Sequence, residues 1–318
     1  MMIFVYAVLV FLVLRFSVTL FNFLSNPKLG YYGKHFTDKV SIIILSAPSE
    51  DGVQSTLNAI EQQEYKYTEV IVQQLENEEE LVNRASGKYL LFLEAGTVIR
   101  HGLINNLIYR VKVFELAVLS LVPTYIAAGF MEKCIYPLND FLLLNLLPLR
   151  LVRLSRVPAF AAGNNGCLFF DAALCRQYNW HNKLKHKSGI EVVKQVKQQQ
   201  LKAETLLANK FVYSKVELKG LDNFSERLFL NFGNSVPVAL SYLALVVLGP
   251  VMVLLSFNPV LAVLPFGLIF LSRIMIAFLT LQNPFVQVLL HPLQMLLLFT
   301  LILKVILGRI LRSFKPGK

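Results

Sequence analysis

The chain has 318 residues, 55% of them hydrophobic and 16% charged, with a formal net charge of +11 at pH 7 and a mean hydropathy of +0.55. Four long apolar runs exclude a wholly water-soluble protein, because they would expose more apolar surface than a soluble monomer tolerates. The charge is uneven: all twenty acids lie between Asp38 and Glu226, while Arg15, Arg273, Lys304, Arg309, Arg312, Lys315 and Lys318 carry the flanking regions.

Residues 1–24 hold one charge, Arg15, and are too long and too weakly basic at their start for a cleaved signal peptide. They are predicted to form an uncleaved transmembrane anchor. Lys28, Lys34 and Lys39 follow directly, and by the positive-inside rule they place residues 25–232 in the cytosol. The expected protein is integral to a bacterial inner membrane. Setting the seven flanking basic residues aside leaves 24 against 20 acids in this middle region, a net +4 that suits an ordinary globular domain. The excess charge falls at the membrane edges and fits anionic lipid headgroups. No aromatic-basic stacking pattern is present, so no nucleic-acid partner is expected. Cys134, Cys167 and Cys175 form no CxxC pair and no even set, which points to a reduced compartment.

Within the middle region strands and helices alternate. Lys39–Leu45 (KVSIIIL) reads as a buried strand, Gly52–Gln63 as a helix, Glu69–Gln73 as a strand, Glu78–Ala85 as a short acidic helix and Tyr89–Leu93 as a third strand. Continuous β-branched runs separated by helices predict a doubly wound, mostly parallel α/β sheet covered on both faces. Ligands of such sheets gather beyond the strand carboxyl ends, here Ser46–Glu50, Gln74–Asn77 and Glu94–Thr97. His101–Val111 is the next predicted helix and Ala117–Val122 the next strand. Lys133–Val157 reads as an interfacial amphipathic segment, with Arg150, Arg153 and Arg156 spaced by three beside LLLNLLPL; the other reading is a core helix.

Val236–Phe257, Pro259–Leu281 and Phe285–Leu307 are each near the ~20 residues that span a bilayer. Together they make a C-terminal membrane region, 236–307, before a basic tail, 308–318. Three spans after a cytosolic domain put that tail outside, against the positive-inside rule, unless one segment lies in the interface. Pro259–Leu281, with Ser272 and Arg273 inside it, is the candidate; the alternative is a true span whose arginine snorkels or pairs internally.

Ser86–Thr97, SGKYLLFLEAGT, resembles the GxYLLFLDADT segment of family 2 glycosyltransferases of the GT-A type. Residues 162–169, AGNNGCLF, resemble that family's AxGQxxLxRR motif, and HPLQMLLLFTLIL near the C-terminus resembles lipid-directed members of the carotenoid, hopanoid or polyprenyl type. The resemblance runs from the anchor to about Leu307. It implies a GT-A-like domain, a nucleotide-sugar donor, a Mg²⁺ or Mn²⁺ ion and a membrane-lipid acceptor.

Carried over position by position, it makes Glu94 the remaining donor and metal acid, with Ala95 and Gly96 at the rest of the DAD turn. Gly163, Asn164 and Asn165 fall on the acceptor side, where a simple tight turn is the other reading. The EDxELxRRxK helix aligns with residues 188–197, so Ser188 and Gly189 stand where the glutamate and the general-base aspartate belong. Glu191 is a substitute only if the helix shifts by two residues, a rotation of about 200°. Leu45-Ser46-Ala47-Pro48-Ser49-Glu50 replaces IPARNE, and Val72-Gln73-Gln74-Leu75 replaces VVDDGS, so the base-gripping acid is missing.

These departures bear on chemistry. A general base contributes roughly 10² to 10⁴ in rate, and the leaving diphosphate needs its charge offset, usually by a carboxylate-held divalent ion. Glu94 is either a weak metal ligand or a surface acid in a turn. Lys183, Lys185 and Lys187 either replace the metal or form a solvated loop. His181 and His186 are poorly spaced for metal, and Trp180 either stacks on a sugar or packs as core. Three readings follow: a membrane glycosyltransferase with impaired catalysis, an inactive pseudo-glycosyltransferase serving as scaffold or protein partner, and a lipid-binding or transport accessory protein.

Overall fold

The computed structural model describes residues 2–45, 50–73, 78–127, 129–182, 184, 188–214, 221–255 and 259–313. Contacts divide the chain into two compact units, one of Asn26–Ile126 with Leu149–Val216, the other of Met1–Ser25, Ala127–Pro148 and Glu217–Lys318. Elements are numbered along the whole chain.

The first unit is a mixed α/β domain. It contains β1 (Val40–Leu45), α2 (Glu50–Glu61), β2 (Thr68–Val72), α3 (Glu78–Arg84), β3 (Tyr89–Glu94), β4 (Thr97–Ile99), α4 (Leu103–Phe114), β5 (Val118–Val122) and β6 (Thr124–Tyr125). After the excursion of the chain through the other unit come α7 (Arg150–Leu154), β7 (Cys167–Asp171), α8 (Ala172–Gln177), α9 (Gly189–Gln198), β8 (Ala203–Leu207) and β9 (Val212–Ser214). Six strands form one sheet in the order β2-β1-β3-β7-β5-β8, and β4-β9-β6 form a second, small one.

Every residue of β1, β5 and β8 is buried. Since successive side chains point to opposite faces, that pattern means the sheet is covered on both, as the continuous apolar runs predict. β2 is only half-buried, as befits an edge. The opposite edge is closed by the segment after residue 25: Leu29 N–H donates to Leu207 O at 2.9 Å and Leu207 N–H to Pro27 O at 2.8 Å. Pairing of that kind removes an exposed strand edge.

Two features depart from expectation. β7 lies antiparallel between β3 and β5, with Leu93 opposite Cys167 and Leu121 opposite the same residue, so it alone runs against the other five strands. Its apolar run, CLFF, reads the same in either direction, and only the long connection ahead of it decides. The strands of the small sheet have two or three residues each, too few for a period to show.

The second unit is helical. It comprises α1 (Met2–Ser25), α5 (Phe130–Ile135), α6 (Pro137–Leu146), α10 (Leu221–Leu230), α11 (Val236–Leu243), α12 (Gly249–Leu255), α13 (Pro259–Thr280), α14 (Pro284–Leu289) and α15 (His291–Ser313). A π-helical turn, Ala244–Leu248, joins α11 to α12. Among the described residues four stretches are long and apolar enough to cross a membrane: Ile3–Ser25, Val236–Val253, Val263–Thr280 and His291–Leu311. Buried polar groups fasten α1 to α6. Thr19 Oγ1 donates to Asn145 Oδ1 at 3.0 Å, and Asn22 Nδ2 donates to the carbonyls of Leu144 and Leu147, both at 2.9 Å.

The segment 133–157 is not one amphipathic helix. Pro137 starts a new helix, Leu147-Pro148 interrupts again, and Arg156 lies beyond the end of α7, so the three arginines share no single helical edge. Arg273 in α13 is 1% exposed and its Nε donates to His291 Nδ1 at 2.7 Å.

Candidate functional site

The strand ends predicted to hold a ligand converge on one end of the α/β sheet. Residues 46–49 and 74–77, which include two of the three predicted turns, lie outside the described residues. The third turn is fully placed. β3 ends at Glu94, Ala95 N–H donates to Leu45 O at 3.2 Å, and Gly96 N–H donates to Gly52 O at 2.9 Å and to Thr56 Oγ1 at 3.0 Å. Gly96 has φ +88°, a left-handed conformation that favours glycine. Its N–H is thus spent on α2, and it offers no side-chain oxygen. Glu94, half-buried, is the one carboxylate of this turn.

Because β7 runs antiparallel to β3, the loop that precedes it lies beside the same turn. Glu94 N–H meets Gly166 O at 3.4 Å, and Thr97 Oγ1 donates to that carbonyl at 3.4 Å. The loop is held from within. Asn164 N–H donates to Ser120 Oγ at 2.8 Å, that hydroxyl returns a bond to Asn164 O at 3.1 Å, and Gly166 N–H donates to Asn164 Oδ1 at 2.7 Å. Asn164 Nδ2 donates to Tyr125 Oη at 3.2 Å, and Thr205 Oγ1 donates to Ala162 O at 2.6 Å. The amide of Asn164 is committed to the fold.

The start of α9 packs directly on that loop. A Cβ at Gly189 would lie 2.5 Å from Asn164 N and 2.8 Å from Asn164 O; one at Gly163 would lie 2.3 Å from Gly189 O. Two glycines 26 positions apart thus let two backbones touch. The structure brings Gly163 and Asn164 against the start of α9 and leaves no space for a side chain at 189. Ser188 is the N-cap of α9: its hydroxyl accepts from Glu191 N–H at 3.2 Å, while Glu191 Oε2 accepts from Ser188 N–H at 3.0 Å. This reciprocal capping box gives Glu191 a structural task.

Among the described residues no three His, Cys, Asp or Glu side chains converge as a metal site. The donor set at the turn, one carboxylate beside an alanine and a glycine whose N–H is already bonded, does not fit a carboxylate-held Mg²⁺ or Mn²⁺. Lys183 and 185–187, including His186, lie outside the described residues. His181 is buried, with Nδ1 3.8 Å from Cys175 Sγ. Trp180 is 2% exposed and sits between Tyr178, 5.3 Å away in a stacked pair, and Phe170, so it packs as core. The three cysteines are free and buried; burial pushes the Cys175 thiol up to about 12.

Sequence reasoning passed over one charged cluster. Glu204 in β8 is buried and accepts from Arg110 twice, Nε to Oε2 and Nη2 to Oε1, both at 2.6 Å, and from Arg153 Nε at 2.9 Å, with Arg150 3.8 Å away. The guanidiniums of Arg110 and Arg153 also lie over the Phe114 ring at 4.1 and 4.0 Å. Lys197 of α9 is buried too; its Nζ donates to Ser155 O at 2.7 Å, and burial pushes its ammonium down to about 8.

No family model matches the chain, and no curated protein matches it. Among solved structures it is similar to the mannosyltransferase PcManGT from Pyrobaculum calidifontis in complex with GDP-Man and Mn²⁺, at 10% identity and a TM-score of 0.49, over 91% of this chain and 99% of that one. It is also similar to S. aureus TarS 1–349 with UDP-GlcNAc, at 11% identity and a TM-score of 0.40, over 85% of this chain and 92% of that one. For the same TarS fragment with UDP the values are 11%, 0.38, 66% and 70%.

Proposed function

We propose that this chain is a membrane glycosyltransferase-like protein of family 2 that has lost sugar transfer and persists as a pseudo-enzyme, a membrane-anchored scaffold or partner for another protein. The observation that carries this reading is the contact between the backbones at Gly163-Asn164 and Gly189. Inverting transfer requires a carboxylate positioned to take the acceptor's proton. At the position where the resemblance puts that carboxylate, the neighbouring backbone occupies its volume. The nearest acid in sequence, Glu191, is held by the helix cap. At the donor turn a single carboxylate, Glu94, remains.

The frame supports the rest of the reading. The segment SGKYLLFLEAGT forms β3 and its turn, and four apolar helices of spanning length suit an integral membrane protein with its α/β unit on the cytosolic side. Membrane lipids are then its surroundings rather than its substrates. Calorimetry of the detergent-purified full chain with UDP and GDP, each with Mn²⁺, tests this. No binding in the micromolar range is expected, and micromolar binding that Glu94→Ala abolishes would overturn it.

A further inference from the structure

We infer that the α/β unit binds a neutral sugar in an open pocket between the turn that follows α8 and the C-terminal half of α9. The pocket has a volume of about 410 Å³, in the range of small-molecule sites. Tyr178, Asn179, Trp180 and Asn182 line it from the turn, and Gln195, Gln198 and Gln199 from the helix and its C-cap. The three glutamines fall at i, i+3 and i+4, so they share one helical face, while Val192, Val193 and Val196 of the same helix are buried in the core. At about 1.5 Å per residue they lie roughly 9 to 15 Å along α9 from Gly189. Neither the donor turn at Glu94 nor the loop around Asn164 lines this pocket, and the inference holds whether or not sugar transfer is lost.

The chemistry of the lining selects the ligand. None of these described residues is charged. A phosphate calls for Arg or Lys, a divalent ion for carboxylates, and an apolar ligand for apolar walls. Each side-chain amide instead offers a carbonyl acceptor and two N–H donors. A sugar hydroxyl is also both donor and acceptor, so a rim of amides matches a ring of hydroxyls and leaves no charge unpaired. Asn179, Asn182, Gln198 and Gln199 are exposed, and among the described residues their side-chain amides make no hydrogen bond within the protein.

Tyr178 supplies the aromatic surface. Its ring stacks on Trp180, with centroids 5.3 Å and planes 14° apart, and Trp180 lies 6.3 Å from Phe170. Trp180 is 2% exposed whereas Tyr178 is half-buried, so the ring open to a sugar's C–H face is the tyrosine, backed by the tryptophan. The turn is fixed by its own backbone. Asn179 has φ +53°, a left-handed conformation that asparagine tolerates, and its N–H donates to Arg176 O at 3.3 Å. Trp180 N–H donates to Cys175 O at 3.3 Å and Asn182 N–H to Asn179 O at 3.2 Å. A wall ordered in advance loses little entropy when a ligand arrives.

Trp180 is the only tryptophan of the chain and lines the pocket, so its fluorescence reports occupancy directly. The full chain, purified in a detergent without a sugar headgroup, is titrated with glucose, mannose, N-acetylglucosamine and maltotriose, and in parallel with inorganic phosphate and with triglycine. A saturable change in Trp180 emission with at least one neutral sugar is expected, at about millimolar concentration for so open a site. The double variant Gln198→Ala, Gln199→Ala, at two exposed positions, should weaken that binding about tenfold, the loss of two hydrogen bonds. Gln177→Ala, an exposed amide outside the pocket, should leave it unchanged. The inference is overturned if no neutral sugar shifts the emission of the wild-type chain, a measurement that needs no variant to fold, or if only phosphate or the peptide does. It is equally overturned if the response to sugar survives the double variant at full strength.

Discussion

Gly189→Ala separates a closed site from an open one by the sign of its effect. At the first position of a helix with ordinary backbone angles, replacing glycine by alanine normally stabilises by ~0.5–1 kcal/mol, through a smaller entropy loss on folding. Here the new Cβ meets Asn164 N at 2.5 Å, whereas ordinary van der Waals contact begins at 3.4 Å, so the two backbones must part by about 0.9 Å. The loop cannot yield cheaply, since Asn164 and Ala162 are tied to Ser120 and Thr205. Overpacking of this kind costs ~1–3 kcal/mol, and each loop hydrogen bond stretched adds ~0.5–1.5 kcal/mol. The net is a destabilisation of about 1–3 kcal/mol, read as a fall of several degrees in the unfolding temperature of the full chain in detergent. Gly308→Ala in α15, where nothing lies within 4 Å of the added carbon, is the control and should be neutral or stabilising. If Gly189→Ala raises the unfolding temperature as the control does, the reasoning is refuted. Gly163→Ala fills the same gap from the other side, so the double variant should cost less than the two single losses combined.

Three further outcomes are expected. Ser188→Ala removes the N-cap of α9 and frees Glu191, and should cost ~1 kcal/mol, checked by chemical denaturation. Glu204→Gln leaves Arg110, Arg150 and Arg153 around a neutral group; breaking a buried pair in this way should cost about 3 kcal/mol, and salt should partly restore the variant's unfolding temperature. Burial alone would raise the Glu69 carboxyl, but hydrogen bonds from Ser41, Ser86 and Lys39 bring it down from 4.5 to about 2. A lowered carboxyl stabilises above its unfolded value and loses that contribution as pH falls through the folded one. Stability should therefore drop between about pH 4.5 and 2, and Glu69→Gln should flatten that part of the profile in acid titrations followed by circular dichroism.

The sheet was legible because its strands are continuous apolar runs broken by turn residues. KVSIIIL and YLLFL needed no tertiary knowledge, and their bounds fall within a residue of β1 and β3. The glycine that opens the SGKYLLFL segment was legible as a motif position but not as a contact. A Cβ at Gly87 would stand 2.5 Å from Ser41 N, so β1 and the turn before β3 approach each other there. The site was legible only in part. That position 189 lacks an acid is plain from the sequence; that Asn164 fills the space is a relation across 25 residues that no local spacing encodes. Arg150 and Arg153 misled for a related reason. A spacing of three suits a lipid-facing helical edge, and their common partner, Glu204, lies 51 residues beyond Arg153. Arg15 and Arg273 stood out singly as charges in apolar runs, but their shared neighbour Phe141 appears only in the folded helices.

The most direct test of the central claim, the proposed loss of sugar transfer, is turnover itself. The full chain in liposomes is given UDP- and GDP-sugars with Mn²⁺, and nucleoside diphosphate release is followed with and without lipid extract as acceptor. The structure predicts no release above that of protein-free liposomes. Release that depends on protein, rises with acceptor and is lost in Glu94→Ala would contradict it.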